Sequence, residues 1–191
     1  MPPRLGPIIQ MELLSMEERL RVPSGCQRHW YGLAARLMNS WSVLDVGAGT
    51  GTGLSILRGH SLQAEGIDPL PAGMDVQKID ISNIATREYD GCVCIDVIEH
   101  VADDVSMLKQ MCRVARKGIF ISTPNWDKYH ASNPFHFREY TWIELIHLIG
   151  LAGRGHRCQF YGSDRKAPHR VFKPDNLVHW HNFGVFITFT E

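Results

Sequence analysis

Residues 43–53 read Val-Leu-Asp-Val-Gly-Ala-Gly-Thr-Gly-Thr-Gly, an apolar run that passes straight into alternating glycines. Gly47, Gly49 and Gly51 let the backbone take positive φ and approach a ligand that any Cβ would push away. A helix opening at Thr52 would aim its first N–H groups at an anionic part of that ligand. Acids stand where later strands should end: Asp68 after the run 63–67, Asp80 after 75–79, and Asp96 within 90–101. A carboxylate at the tip of the strand after a glycine turn is where a ribose diol is gripped, because its two oxygens accept from both hydroxyls. The pattern describes a nucleotide-cofactor site. Beside it, Glu99, His100 and the later His136 offer a general base or a set of metal ligands.

The glycine spacing separates two cofactor classes. A dinucleotide fingerprint wants a third glycine one place later than Gly51, where this chain has Thr52. Asp45, two places before the first glycine, would repel a pyrophosphate but could hold an α-ammonium group, directly or through water. Asp-x-Gly-x-Gly-x-Gly resembles the first motif of class I methyltransferases that use S-adenosylmethionine. Ile95-Asp96-Val97-Ile98-Glu99-His100-Val101 is similar to the Asp-Val-Leu-Glu-His-Val segment of the type 11 subfamily, which includes ubiquinone-biosynthesis O-methyltransferases. Residues 133–141 resemble that subfamily's substrate-side segment, and the likeness covers roughly residues 28–155.

The resemblance implies S-adenosylmethionine bound across Asp45, Gly47, Ala48, Gly49, Gly51, Asp68, Asp80, Ile81 and Asp96. Asp80 would accept from the adenine amino group, with Ile81 against the ring and backbone carbonyls near Cys94 and Ile95 facing the methionine ammonium. Asp96, Glu99, His100 and His136 match the metal-binding pattern of some quinone O-methyltransferases and of small-RNA 3′-end ribose methyltransferases. Oxygen and imidazole ligands suit Mg²⁺, Mn²⁺ or Zn²⁺. The first position is Asp96 rather than Glu, so we expect a hydrogen-bonded pair or a base at His100 or His136 and little metal dependence. The implied reaction is methylation of an oxygen on a small molecule. An RNA ribose 2′-hydroxyl, or a catalytically silent binding subunit that keeps the fold, are the alternatives. Neither the Asp-Pro-Pro-aromatic motif of amino-methylating DNA enzymes nor the Pro-Cys nucleophile of cytosine-C5 enzymes is present.

These residues need strands to carry them. Residues 42–46, 63–67, 75–81, 90–96 and 118–122 read as buried parallel strands, with helices over 52–58, 104–113 and 142–149 between and after them. The resemblance implies a Rossmann-like α/β fold: a seven-stranded, mostly parallel sheet of order 3-2-1-4-5-7-6 with helices on both faces. Its last strands would lie near 156–161 and 183–189, the final one antiparallel. Helical patterns at 11–21 and 27–38, bearing Arg28, His29, Trp30 and Tyr31, would lid the cleft of a single domain, with 41–191 as the core.

The 191 residues are 44% hydrophobic and 21% charged with no net charge, ordinary for one globular domain and against general affinity for nucleic acid. No membrane span or signal peptide is expected, which points to the cytoplasm. The five cysteines show no finger spacing and are expected to be reduced thiols; His179-x-His181 is expected to be solvated rather than a metal pair. Between 151 and 175, Arg154, Arg157, Arg165, Lys166, Arg170 and Lys173 face only Asp164 and Asp175. That stretch reads as a solvated loop or as a docking surface for an anionic substrate or an RNA end.

Overall fold

The computed structural model describes residues 25–130, 133 and 135–190; the expected helix over 11–21 and the side chain of Cys26 lie outside the description. The chain runs α1 (Gly25–Leu37), β1 (Ser42–Val46), α2 (Thr52–Arg58), β2 (Gln63–Ile67), β3 (Val76–Gln77), β4 (Tyr89–Ile95), α3 (Asp104–Val114), β5 (Ala115–Pro124), α4 (Trp126–Tyr129), α5 (Trp142–Leu151), β6 (His156–Ser163), β7 (His169–Val171) and β8 (Asn182–Phe189). Among the described residues, three short 3₁₀ turns cover Ile81–Asn83, Ile98–His100 and Pro174–His179.

All eight strands join one sheet in the order β3-β2-β1-β4-β5-β8-β6-β7. The first five neighbours pair in parallel. β8 is antiparallel to both β5 and β6, so β6 runs in the same direction as β5. Seven strands reproduce the expected order; the eighth, β7, is a correction. It is a three-residue edge strand folded back on β6, too short to show a period of two in the sequence. The third strand also shrinks to two residues. Asp80 leaves the sheet to cap the turn Ile81–Asn83, its carboxylate accepting from the Ser82 N–H.

Alternation along the central strands divides the core between two faces. Val43, Val93, Ile95, Phe120 and Phe186 pack with Trp30, Ala34, Leu54 and Leu57 of α1 and α2. Leu44, Cys92, Cys94, Ile119, Ile121 and Val185 pack with Leu108, Met111, Leu145 and Leu148 of α3 and α5. Strands buried on both faces explain the near-continuous apolar runs, as a parallel sheet covered by helices requires. Cys92, Cys94 and Cys112 are free thiols inside this core, and Cys158 is free and partly exposed. α5 opens with a capping box, Thr141 accepting from the Glu144 N–H while Glu144 accepts from the Thr141 N–H.

Candidate functional site

The glycine turn closes over the carboxyl end of β1. Gly47, Gly49 and Gly51 have φ of 80°, 53° and 76°. A Cβ on Gly47 would stand 2.5 Å from Val97 Cγ1, whereas one on Gly49 would meet nothing within 4 Å, so that glycine borders open space. Gly51 is the N-cap of α2, with no side-chain cap. Two glycines not anticipated from the sequence make the turn possible: a Cβ on Gly66 would press Ala48 at 2.7 Å, and one on Gly73 would strike the Thr50 carbonyl at 2.1 Å.

Asp68 sits at the end of β2 and pins the turn, accepting from Gly49 N–H at 3.0 Å and from Leu70 N–H at 2.8 Å. Asp80 stands at the next strand's end, accepting from Ser82 N–H and Oγ, and these bonds hold its pKa below the usual value. Gly47, Asp68, Asp80, Ile81, Val97 and His100 share one cleft of ≈ 340 Å³, within the size range of small-ligand sites. Ala48 and Gly51 stay in the turn behind it. Asp45 does not line the cleft. It is fully buried beneath α1, accepts from Tyr31 OH at 2.9 Å, and has its other oxygen, Oδ1, unpartnered. Burial raises its pKa to about 7 against the opposing Tyr31 bond.

Beside the cleft the structure brings together three of the four carboxylate and imidazole candidates. Glu99, His100 and His136 each place one ligating atom within 4.8 Å of the others. The two rings meet edge to face with centroids 4.6 Å apart. His100 Nδ1 lies 2.9 Å from the Phe135 carbonyl, which can only accept, so the proton is on Nδ1 and Nε2 carries the lone pair. His136 Nδ1 lies 2.9 Å from Glu139 Oε1. Burial lowers both imidazoles, His136 to about 4, so both are neutral at pH 7. Glu99 is 1% exposed and accepts from Thr123 Oγ1; burial first, then the Asp96 charge, raises its pKa well above the usual range.

Asp96 falls outside this cluster. Its backbone takes φ of 52° and its Oδ1 accepts from Ser122 Oγ at 2.8 Å. Desolvation raises its pKa. His179 and His181 do not share a strand face, since one ends the turn Pro174–His179 and the other pairs with Asp164 at 2.7 Å.

A family model described as a methyltransferase domain matches residues 16–176. The chain belongs to that family. Its members are class I S-adenosylmethionine-dependent methyltransferases. The chain is 25% identical to the ubiquinone biosynthesis O-methyltransferase of Dechloromonas aromatica over 72% of this chain and 61% of the relative. It spans about half the length of the curated relatives it matches. Among solved structures, a SAM-dependent methyltransferase from Aquifex aeolicus superposes with a TM-score of 0.64 at 16% identity over 91% of this chain and 96% of that one. The small RNA methyltransferase HEN1 does so with 0.68 at 18% over 88% and 26%. At such identities the likeness concerns the fold alone.

The supports of the candidate site come from distant sequence. Ser122 and Thr123, at the end of β5, hold Asp96 and Glu99 at the end of β4; the parallel register Ile95↔Ser122 sets them side by side. Phe137 N–H donates to the Glu99 carbonyl at 2.8 Å and stitches the His136 segment to the turn Ile98–His100. Strand register could have located Ser122 and Thr123. Nothing local marks Phe135 or Glu139.

Proposed function

We propose that this methyltransferase transfers the methyl group of S-adenosylmethionine to a hydroxyl oxygen of a small molecule, with His100 accepting the hydroxyl proton. The observation that carries the reading is the His100 ring: it lines the cofactor cleft, and its Nδ1 contact leaves Nε2 as a neutral acceptor. The bound cofactor supplies an electrophilic methyl, so the acceptor needs placement in line, exclusion of water and loss of its proton. Gly47, Gly49 and Asp68 would hold the nucleoside and methionine parts, Asp80 and Ile81 the adenine. Asp45 would act from behind the turn.

A second reading has its own observation. Both Nδ1 atoms are engaged, one by a carbonyl and one by a carboxyl group, which is how metal-ligating histidines are commonly oriented. The donors Glu99, His100 and His136 therefore fit a divalent cation, which would lower the acceptor hydroxyl's pKa. We expect activity to survive chelation; loss with chelator and recovery with Mg²⁺ or Zn²⁺ would establish the metal reading.

Incubation of the purified protein with methyl-labelled S-adenosylmethionine and fractionated cell extract tests the acceptor. Label is expected in the small-molecule fraction as a methyl ether. Label in RNA or protein, or no product from a sample that binds the cofactor, refutes the reading.

A further inference from the structure

The basic stretch flagged in the sequence folds into one wall of an open groove. Because β6 runs parallel to β5, the turn 164–168 after it emerges at the sheet edge that carries the glycine turn. The chain then returns along β7, and the turn Pro174–His179 brings Trp180 back to that edge, where Asn125 Nδ2 donates to the Leu177 and Trp180 carbonyls at 2.8 and 2.7 Å. The groove between hairpin and turn measures ≈ 670 Å³ and is lined by Arg170, Phe172, Lys173, Asn176, His179 and Trp180. It lies outside the cofactor cleft, sharing none of its residues.

Its surface combines two chemistries. Phe172 is 83% exposed, with the Arg170 guanidinium 5.3 Å from its ring centroid. The His169 ring is tilted against Trp180 at 5.7 Å, and Trp180 lies so close over Gly162 that a Cβ there would be 2.2 Å from its Cγ. The aromatic floor is thus held in place by the strand beneath it. One acid lines the groove, Asp164, whose Oδ1 is engaged by His181, so the lining sets the two cations Arg170 and Lys173 against a single carboxylate. Cations beside exposed aromatic faces recognise phosphates attached to a planar base.

We propose that this groove binds a nucleoside diphosphate moiety of the acceptor, with Arg170 and Lys173 on the phosphates and the base against Phe172 or Trp180. The groove's volume is enough for one nucleotide, and it opens on the same edge of the sheet as the glycine turn. This rests on the reading of the chain as a transferase for a small acceptor and names the class of that acceptor.

Calorimetric titration of the whole protein with adenosine, cytidine, guanosine and uridine 5′-diphosphates tests it, with S-adenosylmethionine titrated separately. At least one nucleotide is expected to bind in the micromolar range. Arg170→Gln with Lys173→Gln should weaken it by about tenfold or more, and Phe172→Ala by about fivefold. Cofactor affinity should stay the same in these variants, which also shows that they fold. Lys109→Gln, an exposed cation on α3, is the charge control and should bind nucleotide normally. Failure of all four nucleotides, or unchanged binding in the variants, overturns the proposal. So does inorganic pyrophosphate binding as tightly, which would mean a bare anion site, or a single-stranded oligoribonucleotide binding far more tightly than any mononucleotide. A sample that binds S-adenosylmethionine but no nucleotide refutes the groove alone; one that binds nucleotide but no S-adenosylmethionine refutes the transferase reading.

Discussion

The two halves of the sheet are built by different means. On the side of β3, β2, β1 and β4, the residues proposed to hold the cofactor are strand ends and the turns directly after them, so each is placed by its own neighbours. Gly49, for example, meets Asp68 across a single β-α-β unit. From the turn after β4 across to β5, β8, β6 and β7, the groups that would meet the acceptor are assembled across long separations. His100 is fixed by the Phe135 carbonyl, 35 residues on, and Asn125 reaches Leu177 and Trp180 at separations of 52 and 55. One half is specified locally; the other depends on loops that can change without disturbing the sheet.

If the halves divide the work this way, substitutions should separate rate from cofactor affinity. The largest effect is expected from His100→Ala. Loss of a general base costs about a hundred- to ten-thousandfold in turnover, and calorimetric affinity for S-adenosylmethionine should stay near that of the parent. A matched fall in cofactor affinity would show that His100 belongs to the cofactor half instead.

Gly47→Ala is the converse. The new methyl would stand 2.5 Å from Val97 Cγ1 on a residue with φ of 80°, so steric overlap and backbone strain act together. Cofactor affinity is expected to fall about a hundredfold. Gly49→Ala meets no such wall in the ligand-free protein. Alanine at its φ of 53° still strains the backbone, so only a loss of affinity beyond a matched loss of stability reports contact with bound cofactor, and equal affinity in the parent and Gly49→Ala proteins would remove Gly49 from the site.

The same division explains what the sequence could reveal. Strand β2 and helix α2 match the residues read from pattern alone, because periodicity and glycine punctuation are local properties. The order of five parallel strands followed from the family resemblance. The edge strand β7 was missed since three residues carry no period, and β3 was overestimated because the Asp80 cap competes with pairing. At the site, the order of acids after the glycine turn placed Asp68 and Asp80 beside one cleft. The removal of Asp96 from the Glu99–His100–His136 cluster follows from a bond to Ser122 on the neighbouring strand, and such pairing is a tertiary fact.

The acid side of the pH profile should distinguish the halves as well. His136 has its pKa depressed from 6.5 to about 4 by burial, so the unfolded chain binds a proton there more readily than the folded one. Its contribution to stability is present above pH 6.5 and is lost as pH falls toward 4. Thermal unfolding of His136→Gln should accordingly show a shallower loss over that window than the parent; identical slopes would mean that the ring is solvated.

Asp45 runs the other way, and its loss of cofactor affinity is the smallest expected in the cofactor half. Its folded pKa is raised from 3.8 to about 7, so the folded state holds the proton more tightly and stability falls as pH rises between those values. Above pH 7 the buried carboxylate costs the ligand-free protein at most about 4 kcal/mol. Asp45→Asn keeps an acceptor for Tyr31 OH and removes the charge, so it should raise the melting temperature at pH 8 and change it little at pH 4. In the proposed function, the α-ammonium of bound S-adenosylmethionine would offset this charge from the far side of the turn. The variant should therefore gain stability while losing cofactor affinity, by about tenfold. Tyr31→Phe, which leaves the carboxylate with fewer donors, should be less stable than the parent at pH 8. A variant at Asp45 that gains stability and keeps full affinity would reduce this residue to a structural element beneath α1.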